Sequence, residues 1–161
     1  MDRTLTIESP SKINVFLEVC ARRADGFHEL ETVMLRTDLL DVLSLTPRND
    51  ATIVLEWSPR TPAALRIGIP LDESNLIVRA ARALQQHSDS RAGVHITLQK
   101  RIPAQAGLAG GSGNAAACLL GLNRLWNLHL PVERLHEIAA TLGSDLNFLL
   151  SGVRAARCTG R

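Results

Sequence analysis

Pro103-Ala104-Gln105-Ala106-Gly107-Leu108-Ala109-Gly110-Gly111-Ser112-Gly113-Asn114-Ala115-Ala116-Ala117 is the stretch on which the reading of this chain turns. Its glycines crowd a segment that runs straight into alanine-rich, helix-favouring sequence. Glycine lets a backbone turn sharply and brings successive N–H groups toward an anion without Cβ atoms in the way. A helix starting near Ser112 adds unpaired N–H groups and the positive end of its dipole. The Ser112 hydroxyl is well placed for a phosphate oxygen or a phosphate-bound Mg²⁺. Such a loop suits the phosphates of a nucleotide. A Walker A loop is excluded, because no Gly-Lys-Ser/Thr follows. Gly111 to Ala116 matches the loose Gly-x-Gly-x-x-Ala dinucleotide form. Against it, Lys100 to Gly110 and a proline separate that form from the preceding strand, and Glu133 at the matching offset falls on a helix. A purely structural loop, with Ala115 to Ala117 packed on a sheet, stays open from these residues alone.

Outward from this loop the pattern is α+β, with strands first and helices collected later. Leu5 and Ile7 alternate with polar residues, and Ile13 to Cys20 forms a more continuous apolar run, as in a strand covered on both faces. Arg22 to Gly26 reads as a turn. Leu30 to Leu35, Val42 to Leu45 and Ile53 to Trp57 read as strands. Pro59, Pro62 and Pro70 mark a loop, with one short strand expected around Arg66 to Ile69. Leu76, Ile77, Ala80, Ala81 and Leu84 share a helical face, with Ser74 or Asn75 placed to cap it. Val94, Ile96 and Leu98 alternate as a half-buried strand. Helices are expected over 112–126 and 132–142, and Ser144 or Asp145 could cap another through Leu150. Val153 to Cys158 reads as the start of a further strand, which makes truncation the expectation for a chain that stops at Arg161.

Composition narrows the function classes. The chain has 161 residues, enough for one domain with a real core. A net charge of +2 gives no ground for nucleic-acid or membrane binding. No run approaches the ~18 apolar residues of a membrane span, and no secretory signal is visible. Cys20, Cys118 and Cys158 form no CxxC pair and read as reduced thiols of a cytosolic protein. Metal-ligand spacing is absent, since His136-Glu137 lacks the second histidine of a zinc-protease helix.

Two more segments carry chemistry. In Leu142-Gly143-Ser144-Asp145-Leu146-Asn147-Phe148 the carboxylate is either a helix cap or, beside a substrate hydroxyl, a proton acceptor. In Ser9-Pro10-Ser11-Lys12-Ile13-Asn14 a lysine enters an apolar strand, where its charge needs compensation unless it reaches solvent. Lys12 and Lys100 are the only lysines. His28 could bind a ligand or simply close its turn.

Taken together, SPSKINVFLEV, RRADGFHELETVM, ESNLIVRAARAL, QKRIPAQAGLAGGSGNAAACLLGLNRLW and LGSDLNFLLSG resemble, in this order, the GHMP kinase superfamily. The resemblance implies a ribosomal-protein-S5-like α+β lobe, a mixed sheet with helices packed on one side, in which residues 1–161 form the ATP-binding domain. It implies a kinase using ATP and Mg²⁺ on a small-molecule hydroxyl, cytoplasmic, and a monomer or weak homodimer. ADGFHELET and SPSKIN point to the member acting on a cytidylylated methylerythritol in non-mevalonate isoprenoid synthesis. By the resemblance Asp145 is the general base and Lys12 holds hydroxyl, carboxylate and γ-phosphate together. Gly107 to Asn114 wrap the phosphates, in an ATP-binding segment counted from Pro103, with Lys100 near the nucleotide pocket. Asn14, Phe27 and His28 match substrate positions, His28 reading the cytosine.

Departures from the family pattern are specific. Ala109 and Gly113 stand where Gly and Ser are expected, Phe27 replaces a tyrosine, and Asn147 replaces a proline, which should loosen the turn that aims Asp145. A second, ferredoxin-like lobe of the family is not found in these 161 residues. The isolated chain is therefore expected to have weak activity or none, and to expose apolar surface. The competing readings are a mevalonate, phosphomevalonate or homoserine kinase, a non-catalytic nucleotide-binding relic, and an RNA-binding module, the last opposed by near-neutral charge and few aromatics.

Overall fold

Val94, Ile96 and Leu98 are buried while His95, Thr97 and Gln99 between them are partly exposed, the alternation of a strand covered on one face. Around this strand the computed structural model, which describes residues 4–22, 26 and 28–160, builds a five-stranded mixed sheet and four helices. In chain order these are β1 (Leu5–Arg22), β2 (His28–Arg48), β3 (Ile53–Trp57), α1 (Leu76–Ser88), β4 (Gly93–Gln99), α2 (Gly110–Leu125), α3 (Val132–Leu142), α4 (Leu146–Ser151) and β5 (Ala155–Gly160). The sheet runs β1-β2-β4-β3, with β3 and β4 parallel and the other pairs antiparallel.

The long β2 organises the molecule. One edge pairs with β1 along its whole length, from Leu5 opposite Leu45 to Arg22 opposite His28. The other edge pairs first with β5, from Leu30 to Leu35, and then with β4, from Val42 onward. Between these two partners, β2 residues 36–41 face a fork in the sheet. β1 is irregular opposite the fork, with a register shift between Pro10 and Lys12. A bulge re-aims the side chains that follow it.

The core lies between the β2–β4–β3 part of the sheet and the helices. Leu43, Leu45, Ile96 and Leu98 meet Ala115, Ala116, Leu119 and Leu122 of α2, all in one buried cluster. Small residues on α2 let the helix lie close to the strands. Ile77, Ala80, Ala81 and Leu84 of α1, Leu135, Ile138 and Ala139 of α3, and Leu146, Phe148, Leu149 and Leu150 of α4 join the cluster. Asn75 is the cap of α1, its Oδ1 accepting from the Ile77 N–H at 2.9 Å. Cys118 is buried, and desolvation pushes its thiol far above the ordinary range, so it is inert. Among the described residues no helix is long and apolar enough to cross a membrane.

Three expectations are corrected. Residues 5–20 and 30–45 hold two uninterrupted strands instead of four separate ones, because three register shifts, between Pro10 and Lys12, Asn14 and Phe16, and Val19 and Ala21, absorb the irregular sequence. Arg66 to Ile69 is no strand; a 3₁₀ turn at Ala63–Leu65 and further turns occupy this proline-bounded stretch. Ile13 to Cys20 is not covered on both faces, since Val15, Phe16, Leu17 and Val19 are all exposed. This half of β1 pairs with β2 outside the buried cluster, and its apolar side chains stay exposed there. Apolar content there marks a surface, not a core.

If burial by α2 holds the fold, Leu45→Ala should cost about 2–5 kcal/mol. Leu17→Ser on the bare ribbon should change stability by less than about 0.5 kcal/mol. Urea denaturation of both variants checks the contrast, and equal losses would contradict this placement of the core.

Candidate active site

Lys12 leaves the bulge of β1 with its main chain and side chain pointed at different partners. Its N–H donates to the Leu108 carbonyl at 3.0 Å, tying β1 to the glycine-rich loop. Its ammonium donates to Asn14 Oδ1 at 2.6 Å and lies 3.5 Å from Asp145 Oδ2. Lys12 is 7% exposed, so the alternative of a lysine reaching solvent does not hold. Asn14 in turn donates to Thr32 Oγ1 at 2.6 Å, and the Thr32 hydroxyl donates to the Phe16 carbonyl at 2.7 Å. This chain of contacts locks the lysine's partner amide in one orientation. Thr32 was not among the residues singled out from sequence; a buried hydroxyl in the apolar stretch Leu30 to Leu35 was the signal.

Asp145 precedes α4, yet its side chain makes no capping bond. The carboxylate is left for the cleft and for Lys12, which removes the plain-cap reading. A carboxylate beside an ammonium that already has a second acceptor can take a proton from an approaching hydroxyl. The segment around it is held from α3: His136 Nδ1 lies 2.9 Å from Asn147 Oδ1, and since a carbonyl oxygen only accepts, the imidazole donates. This tie counters the loosening expected where Asn147 replaces proline.

These groups open onto a cleft of about 810 Å³ lined by Lys12, Asn14, His28, Thr32, Asp145, Asn147 and Cys158, with Leu17, Val19, Leu30, Met34 and Phe148 as its apolar walls. Asn14 and His28 therefore share a cleft with Lys12 and Asp145, while Phe27 lies outside the described residues. Burial and then the Asp145 charge raise the Cys158 thiol above the ordinary range. Among the described residues no group of three or more His, Cys, Asp or Glu could hold a metal ion.

The glycine-rich loop sits on the other side of Lys12. Gln105, Gly107 and Ala109 all have positive φ (57°, 74° and 54°), and left-handed residues of this kind turn N–H groups into a concave anion-binding surface. Pro103 to Gly107 and Gly111 are exposed, Ser112 is half-exposed, and Gly110, Gly113 and Asn114 are buried at the start of α2. A narrower apolar slot beside the loop, about 190 Å³, is lined by Ile69, Ile77, Leu98, Ala104, Gln105, Gly111, Asn114 and Lys100. Gly113 has a steric reason for standing where serine was expected. A Cβ there would meet the Pro10 carbonyl at 2.7 Å and Ser9 Oγ at 2.9 Å, so glycine lets α2 start against the bulge that carries Lys12.

Residues 75–152 match the GHMP kinases N terminal domain. The 4-diphosphocytidyl-2-C-methyl-D-erythritol kinase of Acidovorax ebreus (strain TPSY) is 46% identical over 155 residues, 96% of this chain and 52% of that protein. The enzyme of the same name from Delftia acidovorans (strain DSM 14801 / SPH-1) is 47% identical over 146 residues, 91% of this chain and 48% of its own. A crystal structure of 4-(cytidine 5'-diphospho)-2C-methyl-D-erythritol kinase superposes with a TM-score of 0.77 at 36% identity, covering 97% of this chain and 52% of that one. The chain spans about half the length of the curated relatives it matches.

Ala109, like Gln105, is a non-glycine residue held in the left-handed region of the loop. It holds φ 54° at the cap of α2 without a side-chain capping bond, a conformation that costs a non-glycine residue about 1–2 kcal/mol. Ala109→Gly should recover about 1 kcal/mol of that. Thermal melting without ligand measures it, and a destabilised variant would contradict the strain.

Proposed function

This chain belongs to the GHMP kinases, and from that membership we propose that it supplies the ATP-binding half of an enzyme phosphorylating the 2-hydroxyl of a cytidylylated 2-C-methyl-D-erythritol. The observation that carries the reading is the Lys12–Asp145 pair, set in a cleft and joined by the same lysine's main chain to a phosphate-shaped loop. Two relatives at 46% and 47% identity bear the name of that activity.

The geometry divides the work. ATP phosphates enter the concavity of residues 105–114, where the exposed N–H groups and the positive end of α2 meet negative charge. The narrow slot beside Ala104 and Gly111 takes the apolar face of the base. Mg²⁺ bound with the nucleotide would supply charge neutralisation at the phosphates, and the half-exposed Ser112 hydroxyl at the start of α2 is the side chain of the loop that would hold it. Asp145 accepts the proton of the substrate hydroxyl, and Lys12 keeps that carboxylate oriented while offsetting charge that builds between hydroxyl and phosphate. Asn14 fixes the lysine, and His28, at the far end of the cleft, reads the cytosine edge. Catalysis in this arrangement is positioning and electrostatics, which suits phosphoryl transfer.

The bare ribbon of β1 and β2 is the surface on which we place the further half that the longer relatives carry. Ile13, Val15 and Phe16 are exposed apolar residues of this ribbon, and Leu17 and Val19, also exposed, carry it into the wall of the cleft. Without that half the cleft is open on one side, and turnover by the 161 residues alone is expected to be weak or absent.

Binding can be separated from turnover. In an amide NMR titration of this chain, MgATP should shift residues 104–114, and cytidine diphosphate should shift Asn14, His28 and Thr32. Neither ligand should displace the other. Competition for one site, or ATP shifts confined to the Lys12–His28 cleft, would contradict the division of the two nucleotides.

A further inference from the structure

Asp41 is a carboxylate in the middle of an apolar strand, Leu39-Leu40-Asp41-Val42-Leu43, and it is wholly buried. A charge in that position needs full compensation. Its Oδ1 accepts from the Arg101 N–H at 2.6 Å and the Ile102 N–H at 2.9 Å. Its Oδ2 accepts from Lys100 Nζ at 2.6 Å and from Asn114 Nδ2 at 3.0 Å. Lys100, 3% exposed, also donates to the Ile102 carbonyl.

The four donors belong to the two ends of one loop. Residues 100–102 are where the chain leaves β4 and enters the glycine-rich segment. Asn114 lies in the first turns of α2, where that segment ends. Asp41 itself sits at the fork of the sheet, one residue before β2 takes up β4 as its neighbour. Both ends are drawn in tightly, since a Cβ on Gly110 would lie 2.9 Å from Lys100 Nζ and 2.9 Å from Ile102 Cγ2. Between the pinned ends, residues 103–107 are exposed. The concavity is therefore set at its rims.

We propose that Asp41 is a positioning residue for phosphate binding, closing the mouth of the glycine-rich loop, and that Lys100 serves the nucleotide through this carboxylate and not by touching phosphate. The proposal rests on the nucleotide reading of the loop. It gives the ammonium of Lys100 a role set by geometry, since its position is taken up by Asp41 and the Ile102 carbonyl. A carboxylate that only held the fold would support every ligand alike. One that shapes the loop matters for ligands carrying phosphates.

The test compares MgATP with adenosine, which lacks the phosphates, by NMR titration of the wild-type chain and of Asp41→Asn. The amide keeps the carboxylate's shape but replaces an acceptor oxygen with a donor. ATP affinity should fall at least about tenfold, as misplacement of a binding loop implies, while adenosine affinity stays within about threefold. If Asp41→Asn does not fold, Asp41→Glu keeps the charge and displaces it by one methylene; the same split is expected. ATP affinity within about threefold of wild type in a folded variant overturns the proposal. So does an equal fall for both ligands, which would make Asp41 a part of the fold alone. A wild-type chain that does not bind MgATP overturns the nucleotide reading itself, and this proposal with it.

Discussion

A buried ammonium with two acceptors is the constraint around which this molecule is arranged. Lys12 is nearly buried, so its charge must be answered within the fold, and Asp145 and Asn14 answer it. To reach them the strand must bulge after Pro10, and the bulge leaves the Lys12 N–H free to take the Leu108 carbonyl. The glycine-rich loop is thereby stitched to the same residue that faces the carboxylate. Gly113 belongs to this arrangement as well, because a side chain there would collide with the bulge. The distance between a loop suited to phosphates and a carboxylate suited to a hydroxyl is thus fixed by one residue.

A second buried lysine repeats the principle for a different end. Lys100 and Asp41 form an ion pair almost out of contact with water, completed by two main-chain N–H groups and an amide. Breaking such a pair by removing one partner is far more costly than replacing both. The two lysines of this chain are both interior groups, one beside the cleft and one under the loop.

Much of this was legible from the residues. The loop declared itself through glycine spacing and the helices of 76–88 and 132–142 through their apolar period, and Lys12 and Asp145, singled out in separate segments as candidate site residues, lie 3.5 Å apart. What was not legible depended on tertiary partners. The apolar run of Ile13 to Cys20 reads as core by composition, because composition cannot say whether another layer covers a strand. Arg66 to Ile69 has strand-like residues, but the flanking prolines and the 3₁₀ turn leave it no neighbour to pair with. Asp41 is a single acid among leucines and valines; only the fold reveals that four donors converge on it. Ala109 looks like a mild change until its backbone angle is known.

The most direct measurement is phosphoryl transfer from radiolabelled ATP to the cytidylylated methylerythritol by a hybrid in which this chain replaces the matching half of the Acidovorax ebreus relative. The hybrid should label the substrate, and Asp145→Asn should slow transfer by about 10²–10⁴-fold while ATP affinity holds. A folded hybrid that binds ATP and transfers no label, or one in which Asp145→Asn transfers at the original rate, would contradict the assignment of the Lys12–Asp145 pair as the centre of the reaction.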